Sequence, residues 1–192
     1  LIVGSGGVLS HAPRREQSAK MLIDSFLPEG VTSLAVDSIF MMPQLGVMAN
    51  IENKKIAEQA RVAALEVFEK DCLIRLGTCI APVGKLNNSE KILNVNLEFK
   101  NGDKKNIDIG FGDLIRIKVG YEKVKATLTP GKSVNVGAGF GEQINTDIYG
   151  GQVGIIIDGR GRPLQIDQSS SKRIADLKKW SDALDEYPEL GK

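Results

Sequence analysis

The apolar run Leu1-Ile2-Val3 leads straight into Gly4-Ser5-Gly6-Gly7, and Pro13-Arg14-Arg15-Glu16 then opens a helical pattern. Glycines at a strand end let the backbone approach a ligand closely, and the N–H groups ahead of a helix favour an anion. The chemistry this suggests is the cradling of a nucleotide. The run does not fit the dinucleotide register GxGxxG, because the third glycine would fall at Leu9. Nor does an acidic residue end the next strand about 20 positions on, since Asp24 lies inside the helix. A plain tight turn is the alternative reading.

Other stretches invite the same question. In Asp158-Gly159-Arg160-Gly161-Arg162-Pro163 two guanidinium groups flank a turn, where they could grip a carboxylate or phosphate, or sit in surface ion pairs. Gly137-Ala138-Gly139-Phe140-Gly141 leads into a strand, not a helix, and so reads as a hairpin loop without a helix dipole. Ile107-Asp108-Ile109-Gly110-Phe111-Gly112 has the outline of the Asp-x-Gly-x-Thr phosphate loop of sugar kinases and actin-like ATPases, but Gly112 stands where a hydroxyl is wanted. Asp37, at the end of the second strand, is either a functional carboxylate or a helix cap. His11 is the sole histidine and reads as a helix-start or packing residue, so no imidazole-based catalytic set and no zinc site can be assembled. No catalytic residue and no metal ligand is named. Cys72 and Cys79 are not a CxxC pair, and both read as buried thiols of a reducing cytoplasm.

Composition bounds the rest. A chain of 192 residues, 42% hydrophobic, can bury roughly 70% of its unfolded surface and support one or two compact domains. Twenty-five basic against 24 acidic side chains give +1, so no global field draws the protein to nucleic acid or anionic lipid. No apolar stretch reaches the ~20 residues of a membrane span, and no secretory signal pattern precedes the first strand, which points to the cytoplasm. The chain starts at Leu1, already inside a strand pattern, and is read as the C-terminal fragment of a longer protein.

The elements that must position these residues follow from periodicity. Leu1–Val3 and Val31–Val36 read as neighbouring parallel strands joined by a helix from Pro13 to Phe26, whose Ala19, Leu22, Ile23 and Phe26 recur at helical spacing. Met41–Ala49 is a Met-rich apolar stretch broken by Pro43 and Gly46. A long helix is predicted from Ile51, with Ile56, Ala60, Ala63, Ala64, Val67 and Phe68 on one face. From Leu93 the pattern alternates and Asn101-Gly102 marks a hairpin. Strands follow at Leu114–Val119, Val124–Leu128, Ser133–Val136, Gln143–Tyr149 and Val153–Ile157. Ser169–Ser171 can cap a last helix in which Ile174, Leu177 and Leu184 form an apolar stripe with Trp180 at its edge.

Four strings carry a resemblance: GSGGVLSHAPRR (4–15), LAVDSIFMMPQLGVM (34–48), CLIRLGTCIAPV (72–83) and GGQVGIIIDGRGRPL (150–164). Together they resemble the accessory protein of adenosylcobalamin-dependent glutamate mutase, the family labelled GlmL or MutL, which is unrelated to the mismatch-repair protein of the same label. The resemblance implies an α/β fold: the C-terminal part of an actin/hexokinase-like ATPase core (1–86), a small β-barrel or β-sandwich domain (87–168) and a terminal helix (169–192). It implies ATP as the ligand, with magnesium in the full-length protein, and adenosine held against Gly4, Ser5, Gly6 and Gly7. The partners implied are the subunits of an adenosylcobalamin-dependent mutase such as glutamate mutase or ornithine aminomutase, with room for a homo-oligomer. The implied task is chaperone-like reactivation of the mutase by ATP-driven release of damaged cobalamin. The alternative is a scaffold that docks the mutase without nucleotide.

The aspartate-bearing phosphate loops of such ATPases precede the adenosine loop and have no counterpart in these 192 residues. The chain by itself is therefore expected to turn over no ATP. A phosphate-release assay on the purified chain checks this, and nucleotide-specific turnover would refute it.

Overall fold

The structure, a computed structural model, describes residues 1–85 and 91–187. The expected boundary between residues 86 and 87 lies outside the described residues. Five strands form a mixed sheet: β1 (Ile2–Gly4), β2 (Gly30–Asp37), β3 (Leu73–Ala81), β7 (Leu114–Ile117) and β11 (Gly154–Asp158), in the order β1-β2-β3-β11-β7. A second, antiparallel sheet has the order β10-β8-β5-β6, from β5 (Lys91–Glu98), β6 (Lys104–Gly110), β8 (Lys123–Pro130) and β10 (Ile144–Tyr149). The short strands β4 (Val83–Gly84) and β9 (Val134–Asn135) pair with each other.

The leading expectation holds: β1 and β2 are parallel neighbours, Gly4 opposite Val36, and helix α2 (Arg15–Phe26) connects them after the single turn α1 (Gly7–Ser10). Leu27 in the left-handed region, its N–H bonded to the carbonyl of Ile23, ends α2 just before Pro28. The mixed sheet is covered on both faces. Ala19, Leu22 and Ile23 of α2, with Trp180 and Leu184 of α5 (Ser170–Leu184), pack against Leu34, Val36, Cys79, Ala81 and Ile156. The opposite face, through Ile80, Ile117, Ile155 and Ile157, packs on Leu93, Val95, Leu97, Val124, Ala126, Leu128 and Ile148 of the antiparallel sheet. That sheet alternates cleanly: β8 buries Val124, Ala126 and Leu128 and turns Lys123, Lys125 and Thr129 outward.

Several expectations change. Among the described residues neither sheet closes into a barrel, since both strand orders end in edge strands, and the two sheets face each other. The Met-rich stretch is a helix, α3 (Met42–Ala49), because Pro43 falls in its first turn, where no N–H is needed. The long helix begins only at Ala57 (α4, Ala57–Val67) and buries Ala60 and Ala64, leaving Ile56 exposed; a π-helical turn, Phe68–Cys72, follows. The stripe on α5 is also shifted: Ile174 is 64% exposed, whereas Trp180 and Leu184 are buried. β3, inside the cysteine-bearing apolar run, had no separate signal, and β6, the return strand of the Asn101-Gly102 hairpin, extends into the supposed phosphate loop.

Arg116 secures α5. Its Nε donates to the carbonyl of Val153 (2.8 Å), its Nη1 to that of Leu184 (2.9 Å), and its Nη2 pairs with Glu16 of α2 (2.7 Å). Where β3 and β11 lie side by side, Gly77 opposes Gly154, and a Cβ on Gly77 would stand 1.7 Å from the Gly154 carbonyl oxygen, at φ +144°. Gly77→Ala should therefore cost at least about 3 kcal/mol, from strain and forced separation of the strands. Gly120→Ala, in open space at an exposed turn, should stay within about 0.5 kcal/mol. Urea unfolding of the two variants measures the contrast.

Candidate functional site

The glycine run sits where β1 ends and α1 begins, and its four residues play different parts. Gly4 is buried, and a Cβ there would meet the methyls of Leu9 and Leu22 at 2.8 and 2.9 Å, so it is glycine for packing. Gly6 has φ +110°, a conformation that L side chains rarely adopt, and leads α1 as its N-cap. Gly7 is exposed, carries no such φ, and a Cβ on it would meet nothing within 4 Å. Ser5 turns inward and its hydroxyl donates to Asp37 Oδ2 (3.0 Å).

Asp37 is fully buried at the end of β2 and joins three segments. Its Oδ1 accepts from the N–H of Met41 (3.1 Å) and its Oδ2 from that of Met42 (2.8 Å), so it caps α3 as well as holding Ser5. Its own carbonyl accepts from the Ser10 hydroxyl of α1. Next to it, the N–H and hydroxyl of Ser38 both donate to the carbonyl of Cys72, just before β3. Burial opposes the charge of Asp37, but the two amides and the Ser5 hydroxyl outweigh it and hold the carboxyl below the usual carboxylate range. The two readings of Asp37, functional carboxylate or cap, thus meet in one residue that shapes the glycine loop from beneath.

Residues 1–69 match the family model described as MutL protein. The match covers the first 69 of the 192 residues. The family is the glutamate mutase accessory family to which the sequence resemblance pointed, not the mismatch-repair one. No curated protein and no solved structure matches the chain. The matched residues run from β1 through α4 and include the whole glycine loop and Asp37. The other two resemblance strings form β3 and β11 with the turn after it, so all four strings lie in or beside the mixed sheet.

The remaining candidates resolve differently. Arg160 and Arg162 do not line a solvated turn: their side chains are buried, and both grip Asp158, itself 0% exposed, with Nη2 to Oδ2 distances of 2.8 and 2.9 Å. Asp108 and Gly110 lie on β6, an antiparallel edge strand, so that stretch is no phosphate loop. Asn135 Oδ1 accepts from the N–H groups of Gly137 and Gly139 and shapes the loop after β9. His11 ends α1, exposed, with Nδ1 3.2 Å from the Gly7 carbonyl oxygen. Cys72 and Cys79 are buried, free thiols, and burial raises both pKa values, so neither is a reactive thiolate. Among the described residues no three His, Cys, Asp or Glu side chains gather as a metal site, and no helix is long and apolar enough to cross a membrane.

Sequence reasoning missed the link between Ser5 and Asp37, 32 positions apart, because only the parallel pairing of β1 with β2 brings them together. Asp37→Asn should cost about 1–3 kcal/mol, since an amide N–H₂ then faces the donors of Ser5 and α3. Because the folded carboxyl lies below its unfolded value of about 3.9, its stabilisation is complete above that pH and lost as pH falls through the folded value. Denaturation from pH 7 to 2 should show a constant gap between the two proteins down to about pH 4, narrowing below it.

Proposed function

We propose that the chain acts in an ATP-dependent, chaperone-like reactivating factor for an adenosylcobalamin-dependent mutase of the glutamate mutase or ornithine aminomutase type. Its adenine nucleotide contact is the loop Gly4 to Gly7. The observation that carries this reading is the open backbone at Gly6 and Gly7, at the carboxyl end of a parallel strand pair, within the segment that matches the MutL family. Ligands of α/β sheets bind at that end. The roles divide along the loop. Gly4 lets α2 close on β1, Ser5 ties the loop to Asp37, and Gly6 turns the chain so that the Gly7 backbone faces outward. ATP, when bound, supplies the free energy for exchanging damaged cobalamin. The ATPase core is of the actin/hexokinase type, and the mutase subunits are the partners.

A second reading has an observation of its own. Val47 on α3 and Val62 and Leu65 on α4 are 76%, 48% and 56% exposed, and Ile51 and Ile56 between the helices are exposed as well. Apolar surface of that extent marks protein contact. A scaffold that docks the mutase through these helices, without nucleotide, would use it.

Cobalamin release from inactivated mutase, followed while ATP is titrated into the full-length protein, separates the two readings. Release that depends on ATP supports the first, and release without it supports the scaffold. In the same protein Gly7→Val should weaken ATP binding ten- to hundredfold, roughly 1–3 kcal/mol, with an unchanged thermal melt because nothing in the fold meets the added side chain. An unaltered dissociation constant by calorimetry would remove Gly7 from the site.

A further inference from the structure

Among the described residues Arg160 is the most buried cation that keeps unused donors. Its Nε and backbone N–H go to Asp158 Oδ1 (2.8 and 3.1 Å), and its Nη2 to Asp158 Oδ2 and Asp24 Oδ1 (2.8 Å each). Nη1 is buried and has no partner, although the side chain is only 1% exposed. A guanidinium carries five N–H donors, and two of them, on Nη1, are left over.

The charges around it do not cancel. Asp158 and Asp24 are the two carboxylates of the network, and they are met by Arg160, Arg162 and Lys20, whose Nζ is 2.6 Å from Asp24. Three cations against two carboxylates leave one positive charge; Asp158, Arg160 and Arg162 are shut off from water, while Lys20 and Asp24 are part-exposed. Arg160 also forms part of the wall of a cleft of about 840 Å³, between the Phe111-Gly112 turn, the segment around Ile166 and one side of α5. Trp180 completes that wall. Its indole lies against the guanidinium, 5.1 Å from Cζ to the ring centroid, and its Nε1 donates to the Gly112 carbonyl (3.0 Å). Lys172 and Lys179 stand at the cleft as well, each already paired, with Asp167 and Asp113.

From these observations we infer that the cleft is an anion site: a carboxylate or phosphate group enters beside Trp180 and is bound by Arg160 Nη1. The indole covers the guanidinium and shifts when the anion reaches it. The site shares no lining residue with the glycine loop and does not depend on nucleotide binding there. Phe111 and Ile166, 37% and 46% exposed, offer apolar contact to the rest of a small organic anion.

Trp180 is the sole tryptophan, so its fluorescence reports on this cleft alone. Inorganic phosphate and, separately, acetate are titrated into the full chain at constant ionic strength. The inference expects a saturable change in Trp180 emission with at least one of them, and the stronger ligand identifies the chemistry. Arg160→Lys, which keeps the charge but has no Nη1, should weaken that anion at least tenfold. Ile166→Glu, at the exposed rim and outside the network, should weaken it several-fold without lowering the melting temperature, and it serves alone if Arg160→Lys fails to fold. No saturable change with either anion overturns the site, and so does unchanged affinity in the folded Ile166→Glu protein.

Discussion

The carboxylate of Asp158, at the end of the strand that lies between β3 and β7, accepts four hydrogen bonds from Arg160 and Arg162 while wholly shut off from water. Through the two arginines it reaches both α2 and α5. Arg160 reaches on to Asp24 of α2 and lies against Trp180 of α5, and Arg162 donates to the carbonyl of Pro28 in the turn between α2 and β2. Burial raises the cost of the charge, yet the two guanidinium groups more than offset it and keep Asp158 ionised below the usual carboxylate range. A buried ion pair of this kind adds little net stability over an apolar core, but losing one partner is expensive. Here the pair joins β11 to α2, to the turn after it and to α5.

The apolar packing follows from the same strand. β11 is central because both of its faces are buried: Ile156 meets the helices, and Ile155 and Ile157 meet the antiparallel sheet. On its neighbour β3, the pairing with β2 slips at Leu34/Ala35, so that Leu76 is an extra residue and both it and Cys79, three positions on, face the helices. The close passage of Gly77 and Gly154 brings the two parallel strands together at the start of β11. The second half of the chain is thereby built into the sheet begun by the first.

Away from this body, α3 and α4 rest on a small cluster of Leu45, Ala64 and Cys72. Asp37 is what binds that outlying pair to the sheet, and the same carboxylate holds Ser5 and thus the glycine loop. Loop and helices therefore share one anchor. In the reading with ATP, the nucleotide contact and the apolar surface available to a partner are linked through a single side chain. A segment with so few buried contacts belongs to the low-stability end of a fold, where motion linked to function is found.

Much of this was legible in the residues. The parallel pair β1 and β2, the crossover helix, the Asn101-Gly102 hairpin and the alternating strands of the antiparallel sheet are local patterns, set by periodicity and turn chemistry within a few residues. The glycine run could be recognised as a ligand loop or a turn, but not divided into Gly4 for packing, Gly6 for its φ and Gly7 for open space, since each depends on neighbours in space. β3 was hidden because a strand buried on both faces has no alternation to show, and the end of β6 was open to reading as a phosphate loop because an edge strand with polar residues resembles a loop. The stripe on α5 shifted because the strands and α2 beneath it, not its own periodicity, decide which side is covered. Asp158 with Arg160 and Arg162 shows the limit most plainly: sequence placed three charges on one turn and read them as open to a ligand or to solvent. Only the tertiary fold, by burying the turn against α2 and α5, made them partners of one another, because charges removed from water must find their opposites within the protein.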